Sequence, residues 1–347
     1  MLGALALVGV FVGTLFAGAL ALPGPVVDGQ PLADGTRRRY KLTGMRLFLL
    51  AHVGLLLVFV PPHALGLVVD RFWELFVAAN VLALVASVVL FVQGRRRVPD
   101  AGLRDFAMGV ELDPSWLGVD LKMFAYQPSL IGLWWLVLGF AAASLARHGA
   151  LTLRMALYEL FWWVYLVTHY RREAFMLQTW DVIAEKFGLG LVWGDLVLVP
   201  FFYSVGGWVL VDDTEPLAPG AAVALVALFA LALWLFRGSN DQKHRFKADH
   251  TTRIWGRPAE AIDGRLLVSG WWGIGRHLNY TGEVLVYLAI ALTTGTRSIV
   301  PYLLPLWLAG LLAHRALRDE RRCRAKYGAL WEAYCARARF RMVPFVY

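Results

Sequence analysis

The residues best suited to chemistry lie close together at residues 269–283, which read SGWWGIGRHLNYTGE. Tryptophan, arginine, histidine, asparagine and tyrosine stand there among glycines. An unpaired polar group in the hydrocarbon of a bilayer costs several kcal/mol, so a membrane protein tolerates such a run only where it faces protein or water. We therefore expect the run to line a site.

Basic residues precede and follow this run. Residues 240–247 read NDQKHRFK, and Lys243 and Lys247 share one face of the predicted helix because they are four residues apart. Two ammonium groups on one face suit a phosphate. Residues 314–334, HRALRDERRCRAKYGALWEAY, carry further charges every three or four positions. Lysines that set membrane topology and a solvated basic helix would give the same two patterns.

Taken together, these segments hold the groups that a dinucleotide needs. The phosphate-binding cations are Lys243, Lys247, Arg276, Arg315, Arg322 and Lys326. Flat faces for an adenine or nicotinamide ring come from Trp272, Tyr280, Tyr327 and Tyr334. Asn279 and Asp319 suit hydrogen bonds to amides or ribose hydroxyls. No G-x-G-x-x-G follows a strand, so we expect a dinucleotide pocket without a doubly wound fold.

Other catalytic classes have little support. His277 has no histidine at metal-ligand spacing, so we expect no metal site. No G-x-S-x-G elbow is present, which argues against a serine hydrolase.

The composition indicates a multi-pass membrane protein. Of 347 residues, 59% are hydrophobic and only 17% are charged, and the mean hydropathy is +0.56. We expect an all-α helix bundle with eight to ten membrane spans, which forms a single domain over residues 1–347. Within this domain, residues 1–236 are expected to be mainly spanning helices, and residues 237–347 to hold the cofactor pocket. The apolar stretches that predict helices are 2–22, 47–67, 72–92, 130–146, 153–170, 189–211, 218–236, 283–294 and 299–313.

The net charge of +9 gathers in alternate loops. This pattern places the basic loops on the cytoplasmic side and the acidic loop at Asp212, Asp213 and Glu215 outside. Because the basic charge is explained by topology, we expect no nucleic-acid partner.

An aromatic helix in the middle of the chain carries further candidates. Residues 161–181 read FWWVYLVTHYRREAFMLQTWD and include Tyr165, Thr168 and Glu173. An aromatic belt at the membrane interface would also explain the tyrosine.

Two long motifs resemble a known family. LLVSGWWGIGRHLNYTGE, at 266–283, and RDERRCRAKYGALWEAYC with FRMVPFVY, at 318–347, are similar to the signatures of the Δ14- and Δ7-sterol reductases. The likeness extends more loosely to FAMGVELDP, TWDVIAEKFG and WGDLVLVPFFYS.

The resemblance implies a bundle of about ten helices, an NADPH pocket that opens to the cytoplasm, and a sterol that enters from the bilayer, with membrane lipid as the other partner. It places cofactor contacts at Lys243, Leu267, Trp272, Asn279, Tyr280, Asp319, Cys323, Arg324, Ala325, Lys326, Tyr327 and Tyr334. To these we add the neighbouring Lys247, Arg276, His277 and Arg315. Lys247 replaces the usual arginine of the family, which keeps the charge and loses the bidentate fork.

The function that the resemblance implies is NADPH-dependent reduction of a ring double bond in a sterol. An isolated alkene accepts hydride poorly, so an acid must protonate one carbon first. Tyr165 matches the family tyrosine near the double bond and is our candidate proton donor or relay, with Asp319 and Glu173 as suppliers. Where the family has aspartate and Trp-Asn, however, this chain has Thr168, Arg171 and Arg172.

Alternatives stay open at this point. The departures near Thr168 permit a membrane protein that binds sterol and NADPH without catalysis, and RHLNYTG is similar to an element of the isoprenylcysteine methyltransferases. The position of the double bond is also open. IWGRP and WGD look more like the Δ7 subgroup, whereas SGWWG and RMVPFVY are common in the Δ14 subgroup.

Overall fold

The computed structural model describes residues 1–31, 36–58, 66 and 68–346, and the chain is mostly helical. It divides into two compact units, Met1–Thr214 and Glu215–Tyr347. The single membrane domain expected over residues 1–347 stays a prediction.

The first unit contains nine described α-helices. They are α1 (Leu2–Ala21), α2 (Gly44–Val58), α3 (Phe72–Arg95), α4 (Leu103–Met108), α5 (Leu121–His148), α6 (Leu153–Arg171), α7 (Trp180–Ile183), α8 (Leu189–Trp193) and α9 (Val205–Leu210). A π-helical segment, Gly194–Phe202, joins α8 to α9, and a 3₁₀ turn, Glu173–Gln178, follows α6.

The second unit contains five described α-helices. They are α10 (Pro219–Ala248), α11 (Trp271–Ile274), α12 (Leu278–Leu292), α13 (Leu303–Tyr327) and α14 (Ala329–Arg337). A 3₁₀ turn, Val300–Tyr302, leads into α13.

Four short antiparallel hairpins, which the all-α prediction did not anticipate, lie between the described helices. In the first unit β1 (Val26–Pro31) pairs with β2 (Arg37–Lys41), and β3 (Ser115–Trp116) pairs with β4 (Val119–Asp120). In the second unit β5 (Arg253–Ile254) pairs with β6 (Arg257–Pro258), and β7 (Ala261–Ile262) pairs with β8 (Leu266–Leu267).

Six of the described helical runs are long and apolar enough to cross a membrane, so the chain is a multi-pass membrane protein. They are α1, α3, α5, Leu189–Leu210, α10 and Val300–Tyr327. Two further apolar helices, Gly44–Gly54 and α12, are shorter. The expected total of about ten stays a prediction. The predicted helix at 47–67 is described at residues 47–58 and 66, and the rest of it lies outside the described residues.

The core of the first unit is α5, most of whose apolar part is buried. This helix begins at Leu121, earlier than the apolar stretch at 130–146, because the Asp120 side chain caps it by accepting a hydrogen bond from the Met123 N–H at 2.8 Å. Lys122 in its first turn is only 1% exposed. Its Nζ donates to the carbonyl oxygens of Val182 and Glu185 at 2.8 Å each.

Two of the upstream motifs meet in this unit. Gly109 of FAMGVELDP and Gly188 of TWDVIAEKFG approach so closely that a Cβ on either would collide with the backbone of the other segment. Gly109 also has a φ of 102°, which favours glycine. The Phe187 N–H donates to the Glu111 carbonyl oxygen at 2.9 Å. These motifs therefore hold loops together next to α5.

In the second unit α10 and α12 pack with their backbones close together. A Cβ on Gly282 would lie 2.5 Å from the backbone nitrogen of Phe236, so only glycine fits at this crossing. The helix α10 runs well beyond the apolar stretch at 218–236, to Ala248. Lys243 and Lys247 therefore lie on its last turns, as their spacing predicts.

We predict that Gly282→Ala destabilises the protein, because the added methyl group pushes α12 away from α10. Overpacking of this kind costs about 1–3 kcal/mol, and thermal unfolding in detergent should show a lower midpoint. Gly310→Ala is the matched control, since a Cβ there meets nothing within 4 Å. It should leave the midpoint unchanged or raise it, and equal midpoints for the two variants would contradict the packing.

Candidate functional site

The run at 269–283 follows β8 and contains α11 and the first residues of α12, and α10 holds it in place. Gly270 has a φ of 62° and lies against the Gln242 side chain, so a larger residue would collide. Gln242 Oε1 accepts a hydrogen bond from the Trp271 N–H at 2.9 Å. Trp272 Nε1 donates to the Ser239 carbonyl oxygen at 2.7 Å. The tryptophans are thus fixed to the end of α10.

Lysines of α10 lie next to this connection. Lys243 Nζ is 4.4 Å from the centroid of the Trp272 ring, a cation–π distance. Lys243 and Lys247 are both exposed. The ammonium groups of Lys243 and Lys326 and the Asp319 carboxylate are close enough for their charges to act on Lys247. The structure therefore brings together cations from α10 and α13 that the sequence had placed only on separate helices.

Aromatic and apolar residues surround Trp272. Leu267 is buried with Trp272, Phe246 and Ile254 in one cluster. The Tyr334 hydroxyl donates to the Trp272 carbonyl oxygen at 3.3 Å. Burial raises the pKa of the Tyr334 phenol far above its usual range, so this hydroxyl stays protonated at neutral pH.

The predicted residues of α13 lie along its last four turns. Cys323 Sγ is 4.0 Å from Asp319 Oδ2, and Lys326 Nζ is 5.1 Å from the centroid of the Tyr327 ring. Arg324 bonds Glu332 of α14 at 2.8 Å, and Ala325 is exposed. Arg315 is half-buried.

Asn279 and Tyr280 lie in the first turn of α12. Asn279 Nδ2 donates to Asn240 Oδ1 at 3.3 Å. Its other polar atom, Oδ1, is buried and has no hydrogen-bond partner in the described part of the chain. The Tyr280 ring stacks on the His277 ring with 5.1 Å between centroids. Asn279 therefore retains one buried acceptor for a donor from outside the chain.

Arg276 makes structural contacts within the chain that the sequence did not predict. It is 8% exposed, and its Nε donates to Glu320 Oε1 at 2.8 Å, while Nη1 donates to the Ala338 and Arg339 carbonyl oxygens at 2.7 and 3.0 Å. Arg341 Nη2 lies 2.9 Å from Glu320 Oε2. The arginine expected to bind a phosphate thus binds a protein carboxylate and the segment after α14.

His277 lies beside this network as a neutral ring. Burial, followed by the charge of Lys243, lowers its pKa to about 3. Its Nε2 is 4.0 Å from Glu320 Oε1, too far for a hydrogen bond. Its backbone N–H donates to the Arg341 carbonyl oxygen at 2.8 Å. Among the described residues no group of three His, Cys, Asp or Glu could hold a metal.

Tyr165 and Glu173 belong to the first unit. Tyr165 is buried on α6 with its ring edge-to-face against Trp162. Thr168, at the position where the family has aspartate, donates from its hydroxyl to the Tyr165 carbonyl oxygen at 2.8 Å. The Thr168 side chain therefore forms a local hydrogen bond to the backbone of its own helix.

Glu173 lies at the N-terminus of α2. The Gly44 N–H donates to both carboxylate oxygens at 3.1 and 3.0 Å, and Gln127 Nε2 donates to Oε1 at 3.0 Å. A Cβ on Gly44 would collide with the carboxylate. Burial nevertheless raises the pKa of Glu173 to about 7, because no cation is among these partners. Nothing in the local sequence signals this cap, since its partners are distant along the chain.

A family model described as the Ergosterol biosynthesis ERG4/ERG24 family matches residues 5–347. The chain belongs to this family.

Curated relatives match this chain over nearly its full length. The chain is 36% identical to the Delta(14)-sterol reductase of Arabidopsis thaliana, over 94% of this chain and 91% of the relative. It is also 36% identical to the Delta(14)-sterol reductase of Methylotuvimicrobium alcaliphilum, over 96% and 81%. Identity to the Delta(14)-sterol reductase LBR of Gallus gallus is 35%, over 95% of this chain and 54% of that longer protein. The resemblance stated from the motifs is thereby confirmed.

We predict that Glu173 makes the folded protein more stable at acidic pH than at neutral pH. Its folded-state pKa of about 7 lies above the ordinary 4.5. The stability it contributes is therefore fully present below pH 4.5 and is lost as the pH rises through 7, on the order of 3 kcal/mol. The thermal midpoint of Glu173→Gln should fall less than that of the wild type between pH 5 and pH 8. Glu332→Gln, at an exposed carboxylate of α14, should keep the wild-type slope, and an unchanged slope in Glu173→Gln would contradict the assignment.

Proposed function

We propose that this protein is a membrane-embedded, NADPH-dependent reductase of the Δ14 double bond of sterols. The observation that carries the proposal is the assembly around Trp272 in a chain whose curated relatives are named Delta(14)-sterol reductases over nearly its whole length. That naming favours Δ14 over the Δ7 subgroup, which the motifs alone left open.

The residues of the second unit fit NADPH. Exposed Lys243, Lys247 and Lys326 offer cations to its three phosphate groups, and their number favours NADPH over NADH. Asn279 Oδ1, buried and without a partner in the described residues, suits a donor such as an amide N–H or a ribose hydroxyl. Trp272 and Tyr334 form a wall held by hydrogen bonds. When bound, NADPH supplies the hydride of the reduction.

The remaining residues would manage the proton. An acid adds a proton to one alkene carbon and leaves a carbocation, which hydride then neutralises, so the substrate gains two hydrogens and loses one double bond. We assign the donor or relay role to Tyr165. Glu173 and Asp319 are candidate suppliers, and Glu173 carries a proton about half the time near pH 7 because burial raises its pKa to about 7. The sterol would enter from the bilayer, and the cofactor pocket would face the cytoplasm.

We predict that Lys326→Ala raises the KM for NADPH by about tenfold or more, because a charged hydrogen bond to phosphate is lost. Steady-state oxidation of NADPH by purified protein measures this. Arg257→Ala removes an exposed cation of the same unit from β6 and serves as the control, with an unchanged KM expected. An unchanged KM in Lys326→Ala would remove this lysine from the cofactor site.

We predict that the protein and NADPH convert a Δ8,14-diene sterol to the monoene and leave a Δ5,7-diene intact, as mass spectrometry of the products would show. Tyr165→Phe should lower kcat far more than it weakens NADPH binding, because the hydroxyl is assigned to proton transfer. Reduction of the Δ5,7-diene instead would move the enzyme to the Δ7 subgroup.

Two further outcomes decide the alternatives. Binding of NADPH and sterol with neither diene reduced would favour the non-catalytic binding protein, which the substitutions at Thr168, Arg171 and Arg172 permit. Wild-type turnover by Tyr165→Phe would transfer the donor role to Glu173 or Asp319.

A further inference from the structure

A polar cleft of about 420 Å³ lies in the first unit, at the end of α3. The helix contributes Leu90 and Gln93, the residues after it contribute Arg96 and Arg97, and the loop before α5 contributes Glu111, Asp113 and Ser115. Arg38 of β2 lines the same cleft. No residue assigned to the proposed reduction is among them.

Three arginines and two carboxylates line the cleft, so one positive charge has no carboxylate to balance it. Glu111 is paired with Arg97, with 3.1 Å between Oε2 and Nη1. Asp113 lies between two cations, 3.7 Å from Arg38 Nε and 3.6 Å from Lys122 Nζ. Both carboxylates are thus neutralised within the fold.

Arg96 is that remaining cation. Its side chain is exposed and makes no hydrogen bond or ion pair within the described part of the chain. A guanidinium presents a fork of donors that matches phosphate oxygens. The Gln93 amide and the Ser115 hydroxyl, which line the cleft with it, add neutral donors.

The cleft also touches the apolar surface of a membrane span. Leu90, one of its lining residues, lies about one turn before Gln93 on α3. Val85, Val88, Val89 and Val92 of this helix are each about half exposed. Cationic groups stand at the end of the span and exposed apolar side chains follow along it, which is the order of charge and hydrocarbon in a phospholipid.

We propose that this cleft binds the phosphate group of an anionic membrane lipid. Arg96 is the principal contact, and the lipid chains run along the exposed valines of α3. A soluble phosphate would share the contact with Arg96 and would gain nothing from the apolar surface.

The test is native mass spectrometry of the full chain in detergent. The protein is titrated with phosphatidylglycerol, with phosphatidylcholine of the same acyl chains, and with glycerol phosphate. We expect one phosphatidylglycerol to bind at least tenfold more tightly than phosphatidylcholine, and glycerol phosphate not to bind in the same range.

Three variants separate the cleft from general lipid adhesion. Arg96→Gln should weaken phosphatidylglycerol binding about tenfold, and Arg96→Lys, which keeps the charge, should retain most of it. Arg104→Gln, at an exposed arginine of α4 outside the cleft lining, should bind like the wild type.

The proposal is overturned if Arg96→Gln binds phosphatidylglycerol as the wild type does, or if Arg104→Gln loses as much. Binding of glycerol phosphate as tightly as the lipid would assign the cleft to a soluble phosphate and overturn the lipid assignment.

Discussion

The site of the second unit depends on α10 continuing as one unbroken helix beyond its apolar part. Its 30 residues span about 45 Å, whereas the hydrocarbon core of a bilayer is about 30 Å thick. The polar last turns supply the Ser239 carbonyl and the Gln242 side chain that hold the two tryptophans, and they also carry Lys243. If the helix ended near Phe236, none of these groups would have a fixed position.

Each unit also places a carboxylate where it joins distant segments, half-buried Glu320 in the second unit and buried Glu173 in the first, and the surroundings of the two differ. Glu320 binds two guanidiniums, Arg276 and Arg341, and so ties the segment after α14 to the start of α12. Within the described part of the chain, Glu173 accepts its hydrogen bonds from neutral donors, the Gly44 N–H at the N-terminus of α2 and the Gln127 amide. Positive charge compensates the first carboxylate, whereas the second must bear its own desolvation, which is why its pKa is raised.

Much of this arrangement could be predicted from the sequence, because it depends on spacing within one element. The shared face of Lys243 and Lys247 follows from a separation of four residues, and most of the spans follow from continuous apolar runs. The long motifs were sufficient to indicate the family. Each of these signals is complete within a short window of the chain.

The partners of Arg276 and Glu173 could not be found in this way. Arg276 and Glu320 are 44 residues apart, and Gly44 and Glu173 are 129 residues apart. Periodicity carries no information about such pairs. Residue type assigned Arg276 to a phosphate, but a guanidinium suits a protein carboxylate equally well. Three of the four hairpins escaped prediction because their two-residue strands have no measurable alternation.

The buried oxygen of Asn279 has a consequence for discrimination between ligands. Because Nδ2 is engaged with Asn240, the amide is held in one orientation and presents only lone pairs. A ligand that places a hydrogen-bond donor at this point pairs with Oδ1. A ligand that places another lone pair there is repelled and leaves the buried acceptor unsatisfied, which costs about 1–3 kcal/mol. A single side chain can thus distinguish a carboxamide from the corresponding carboxylate about ten- to a hundredfold.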